Sequence, residues 1–77
     1  MTLQDWLKAE KLSHEQFAAK IRIAGKPVSV QAVGKWARGE RLPRPKAMSA
    51  IESATEGAVT WADMLSVFQA RAERIAA

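Results

Sequence analysis

The side chains able to do chemistry in this chain are few, and most are cations. His14 is the only imidazole, and there is no cysteine. An activated nucleophile needs a partnering base, and a zinc site needs three or four nitrogen or sulfur ligands. The eight Asp and Glu side chains are scattered, several at helix-opening positions, and no two are spaced as an acid–base pair. A glycine-rich phosphate loop is also missing. The expectation is no enzyme, no catalytic residue, no metal site and no cofactor. What stands out instead is charge. Lys20, Arg22, Lys26, Lys35, Arg38, Arg41, Arg44 and Lys46 face a single acid, Glu40, in one stretch, while acids outnumber bases in the rest of a chain of net charge +4. Cations focused in this way suit a polyanion, most commonly nucleic acid; a solvated basic surface with no partner is the plainer alternative.

The elements that must carry these cations read as helices. With 77 residues the expectation is one domain spanning 1–77, which buries only about 60% of its unfolded surface and so is marginal as a lone monomer. Disulfides are excluded by composition. Alanine-rich sequence with few β-branched and aromatic residues argues against a β-sandwich. No run approaches the roughly 18 apolar residues of a membrane span, and the N-terminus lacks a secretory pattern, so a cytoplasmic, nucleoid-associated location is expected.

Thr2 and Asp5 form a capping-box pattern opening a first helix, with Leu3, Trp6 and Leu7 as its core face. Ser13 and Gln16 repeat the pattern for a second helix, whose buried stripe is Phe17, Ala18 and Ile21. Gly25 and Pro27 punctuate the stretch from Arg22 to Val28 as a turn. Ser29 then caps a third helix, Val30 to about Arg38, with Val33 and Trp36 inward, Gly34 on another face and Gly39 as the left-handed stop. Pro45 opens a fourth helix running to about Glu56 and ended by Gly57. Thr60 and Asp63 cap a fifth, about 60–76. Along it Trp61, Leu65, Phe68, Ala72 and Ile75 step by four and three, a seam wide enough for the chain's own core and a partner helix. Trp6 and Trp36 read as core; Trp61 reads as a residue at an interface.

The segment Leu12-Ser13-His14-Glu15-Gln16-Phe17-Ala18-Ala19-Lys20-Ile21, followed by Val28-Ser29-Val30-Gln31-Ala32-Val33-Gly34-Lys35-Trp36-Ala37-Arg38-Gly39, resembles the helix-turn-helix of the phage-repressor superfamily, the Xre or Cro/repressor type. Ser13, Glu15, Phe17, Ala18, Lys20, Ile21, Val28, Ser29, Val33, Trp36 and Gly39 match its pattern. The stretch Ala50 to Thr60 looks like the fourth-helix ending of Cro-like and YdaS-like small regulators. The resemblance covers about residues 3–65. It implies an all-α, compact five-helix DNA-binding domain with its helix-turn-helix at about 13–39. Two departures stand out. Six residues, Arg22 to Pro27, occupy a turn where the family usually has one, so either helix two is longer by a turn or a basic loop projects. Ala37 replaces the usual Glu.

A major groove admits one α-helix, read mainly from its N-terminal part. On helix 29–38 the base-reading candidates are Val30 for a thymine methyl, Gln31 for adenine N6 and N7, and Lys35 for guanine or a phosphate; the resemblance implies the same positions. The phosphate-binding candidates are Ser13, His14, Ser29, Arg38, Arg41, Arg44, Arg22 and Lys26, with His14 at the family's usual Gln position. The expected function is a sequence-specific regulator of double-stranded DNA, bacterial or phage-encoded, a repressor or Cro-like switch. It would act as a homodimer on inverted repeats, with Trp61, Leu65, Phe68, Ala72 and Ile75 as the dimer interface. The alternative is an antitoxin or adapter that holds a protein partner, such as a toxin, through helix five and binds DNA for autoregulation. A non-specific nucleoid or RNA-binding protein is a further rival.

Overall fold

The computed structural model describes residues 1–23 and 25–76. Five helices are present: α1 (Leu3–Ala9), α2 (His14–Lys20), α3 (Val30–Arg38), α4 (Pro45–Ala54) and α5 (Trp61–Ala76). Each start has a local cause. The Thr2 hydroxyl accepts the Asp5 N–H, and Ser29 accepts the Ala32 N–H. Ser13 and Gln16 close a reciprocal box at 3.1 and 2.8 Å. Thr60 and Asp63 close another at α5, at 2.9 and 3.3 Å. Such caps satisfy donors that the first turn leaves without intrahelical partners, each contributing about 1 kcal/mol. At α4, Arg44 gives no side-chain cap and Pro45 lies in the first turn instead, where its missing N–H costs nothing.

The helix ends also follow one rule. After α1, α3 and α4 the chain closes paired bonds onto the last turn: Lys11 N–H to Lys8 O with Leu12 N–H to Leu7 O, Gly39 to Trp36 with Glu40 to Lys35, and Glu56 to Ser53 with Gly57 to Glu52. This is the Schellman arrangement, which needs one residue in the left-handed region. Lys11, Gly39 and Glu56 supply it, with φ of 56°, 76° and 54°. The left-handed stop of α4 is therefore Glu56 rather than Gly57, and α4 proper ends at Ala54.

The long connection between α2 and α3 is a β-hairpin, not an irregular turn. Its strands are β1 (Arg22–Ile23) and β2 (Lys26–Pro27), antiparallel with Arg22 opposite Pro27 and Ile23 opposite Lys26; Ala24 lies outside the described residues. Helix α2 does not extend. Ile21 is buried, Arg22 exposed and Ile23 half-buried, and this period-two alternation of β-branched residues around a cation favours extended backbone over helix. The hairpin packs through β1 on α4 and through β2 on α2.

Helix α3 is the hub, touching α1, α2 and α5. The core is built from Leu3, Leu7, Phe17, Ala18, Ile21, Val33, Trp36, Ala37, Ala47, Met48, Ile51, Val59 and Met64. Trp6 and Phe17 meet edge to face at 5.7 Å between ring centroids, and truncating a buried ring such as Phe17 to Ala costs about 3–5 kcal/mol. Thr55 is the one buried polar residue among those described. Its hydroxyl donates to Ile51 O at 2.9 Å and accepts the Val59 N–H at 3.2 Å, tying the end of α4 to the approach of α5. Helix α5 meets the core through Met64, buried, and Val67, whose backbone lies against Gly39. The seam read from sequence is displaced from that edge. Leu65 and Phe68 are half-buried, and Trp61, Ala72 and Ile75 are exposed.

Candidate nucleic-acid interface

One side of α3 faces the core through Val33, Trp36 and Ala37. The opposite side carries Gln31, Lys35 and Arg38, all exposed, at spacings of four and three that put them on one stripe. Ser29 and Val30, in the first turn, are exposed as well, Val30 to 42%. The exposure of an apolar side chain at the free end of an otherwise anchored helix is the feature of interest, because a lone valine there is unneeded for folding.

The surrounding cations fall into separate groups. Arg41, Arg44 and Lys46 share a groove of about 870 Å³ with Ser29, floored by Trp36 and Leu42. The same groove is lined by Ser29, Ala32 and Trp36, so it runs along α3, and these cations border it although they follow the helix in sequence. Lys46, in the first turn of α4, was not singled out by sequence reasoning. It lines this groove and also a second one with Lys20 and Arg22, and the signal available was only its place in the basic run. Lys26 is exposed on β2. Arg22 is exposed but directed back: its guanidinium donates to Ala19 O at 3.1 Å, where the C-terminal carbonyls of α2 favour a cation.

Four further candidates already have partners within the chain. His14 is half-buried, and its Nε2 lies 3.2 Å from Gln4 Oε1. Ser13 and Ser29 accept capping bonds, which leaves each hydroxyl proton available to a phosphate. Arg38 is the most constrained. Its Nε donates to Glu40 Oε2 at 2.6 Å, and Arg71 Nη2 reaches the other carboxylate oxygen at 3.6 Å. The Arg38 hydrogen bond, with the charges of Arg38, Arg71 and Lys35, holds the Glu40 carboxyl below its ordinary range. Gly34, expected on an open face, is buried, and the three atoms nearest its missing side chain all belong to the Arg38 guanidinium.

The exposed residues of α5 lie away from these cations in sequence and include large apolar groups, Trp61 at 44% and Ile75 at 71% exposure. No cluster of His, Asp and Glu among the described residues could hold a metal ion, and no described helix is long and apolar enough to cross a membrane.

Two short capped helices packed against each other, the second with its outer face free and cations around its start, define a helix-turn-helix DNA-binding fold. A helix-turn-helix family model matches residues 3–61. The chain belongs to that family, of the Xre, Cro and CI type, and is a DNA-binding regulator. No curated protein and no solved structure gives a significant match. The family match ends at residue 61, where α5 begins.

Proposed function

We propose that the protein is a sequence-specific transcriptional repressor or Cro-like switch that binds inverted-repeat operators as a homodimer. The observation that carries this reading is the exposed first turn and outer stripe of α3, with Val30, Gln31 and Lys35 displayed and Arg41, Arg44 and Lys46 lining one groove with Ser29. In this reading α3 lies in the major groove. Gln31 bonds an adenine edge, Val30 packs on a thymine methyl, and Lys35 takes guanine or a phosphate. Arg41 and Arg44 hold one phosphate strand, while Lys26 and Arg22 on the hairpin meet the other. Ser13, His14 and Ser29 add shorter contacts at helix starts. Phosphate contacts give affinity and orientation, and base edges give sequence. The whole chain, 1–77, acts as one unit, with α5 joining two copies through Trp61, Leu65, Phe68, Ala72 and Ile75.

The test is selection of fragmented host DNA by the purified protein at about 150 mM salt, where non-specific binding is weakened, followed by sequencing. Enrichment of an inverted repeat with half-site centres about one helical turn apart supports the reading. Uniform recovery of all fragments overturns it in favour of a non-specific nucleoid protein. One observation favours a second reading. Trp61 and Ile75 are large apolar side chains exposed on α5, which also suits an antitoxin or adapter whose α5 holds a different protein. Co-purification of a stoichiometric partner from the host, in place of a homodimer, would favour it.

A further inference from the structure

We propose that Arg38 reads a base, its guanidinium held across the outer face of α3 by Glu40 and given room there by Gly34. This rests on the reading of α3 as the groove helix and adds a specificity-determining residue to it. Side chains on a helix lean toward its N-terminus, so Arg38 covers the turn that contains Gly34. A Cβ built on Gly34 would lie 2.8 Å from Arg38 Nη1 and 3.4 Å from both Cζ and Nη2. Any larger residue would displace the guanidinium. The opposite edge is pinned, with Nε donating to Glu40 Oε2 at 2.6 Å, and no other hydrogen bond from Arg38 occurs among the described residues. The terminal nitrogens, four N–H groups in a planar fork, are left on the stripe shared with Gln31 and Lys35.

Glu40 is itself held from two directions. Its N–H closes the Schellman turn onto Lys35 O at 2.9 Å, and Arg71 from α5 approaches its second oxygen. An acid beside a phosphate-binding cation offsets its charge and weakens binding to every DNA. A base reader needs a fixed fork, since bidentate recognition of guanine O6 and N7 depends on direction. Orientation therefore accounts for the one acid in the basic stretch, and ordering the side chain before DNA arrives reduces the entropic cost of binding.

The experiment measures Kd for the operator recovered by selection, for each of its single-base variants and for random DNA, at one salt concentration, using wild type, Arg38→Lys, Glu40→Gln and Gly34→Ala. Arg38→Lys keeps the charge and should leave random-DNA binding within about twofold, while preference for guanine at one position falls on the order of tenfold. Glu40→Gln should bind random DNA more tightly yet lose preference at that same position. Gly34→Ala should melt about 4–8 °C higher, from better helix propensity, and still lose that preference. A merely structural Gly34 or Glu40 would not produce tighter or more stable variants with weaker discrimination. Equal loss on specific and random DNA in Arg38→Lys, or full discrimination in Gly34→Ala, overturns the proposal and leaves the repressor reading intact. A wild type with no preferred sequence overturns both.

Discussion

At the residue scale, α3 has a packed side and an exposed side. Gln31 is exposed and takes no part in the core, so Gln31→Ala should leave Tm almost unchanged. It should lower operator affinity by about 1–3 kcal/mol, the value of a bidentate base contact, with random-DNA binding nearly the same. Equal losses on both DNAs, in a competition assay, would make Gln31 a positioning residue only. Asp63 offers a test of a different kind. The Thr60 N–H bond holds its carboxyl below the ordinary range, helped by the Met1 amino group 3.1 Å away. A depressed folded pKa contributes stability above the ordinary carboxylate value, and that contribution is lost as pH falls through the folded value. Asp63→Asn can still cap α5 but cannot titrate, so its Tm should fall less steeply than wild type on acidification below the carboxylate range. Parallel acid limbs in thermal melts would refute this role.

At the element scale, three helices end alike, yet their left-handed residues are not equivalent. Lys11 and Glu56 carry side chains at positive φ and tolerate the strain, about 1 kcal/mol each. Gly39 differs because a Cβ there would meet Val67 Cγ1 and the Val67 carbonyl oxygen, both at 2.8 Å. Backbone conformation and the approach of α5 both exclude a side chain. Gly39→Ala should therefore destabilise by about 2–4 kcal/mol, combining left-handed strain with overpacking, whereas Glu56→Gly should change stability by less than about 1 kcal/mol. Urea unfolding of the two variants separates these outcomes, and similar losses in both would mean that α5 moves aside without cost. The hairpin is the element that local reading resolved least. Gly25 and Pro27 announce a break, but a break is compatible with a loop or a pair of strands. The choice came from where Ile23 could be buried, against α4.

For the whole molecule, Arg41 and Arg44 line one groove with Ser29 and Trp36 of α3. Each should contribute about one unit to the slope of log Kd against log salt. Arg41→Ala and Arg44→Ala should therefore flatten that slope and weaken operator and random DNA together. An unchanged slope would place both residues off the DNA. The proposed dimer is best probed at Ile75, which is 71% exposed and supplies little to the monomer core. Ile75→Glu should shift sedimentation toward monomer and weaken operator binding without lowering the melting temperature of the monomer. A wild-type dimer in that variant would remove this part of α5 from the interface. Phe68 is a poorer probe, being half-buried against its own chain.

The sequence alone determined what short-range physics controls. Caps at Thr2, Ser13, Ser29 and Thr60, the inward stripes of α1 to α3 and the stop at Gly39 all involve residues within about five positions of one another. Hydrogen bonds and helical periodicity over that distance can be read without knowing the fold. Tertiary structure decided which edge of α5 is spent on the core, since a seam of alternating threes and fours cannot say whether Met64 and Val67 or Leu65 and Phe68 turn inward. It placed Arg41, Arg44 and Lys46 beside Ser29, and it turned Arg38 from one cation among eight into a side chain fixed by Glu40, Arg71 and the empty space at Gly34. Those arrangements depend on contacts between residues far apart in the chain and on the directions side chains take once packed, which residue type and spacing do not encode.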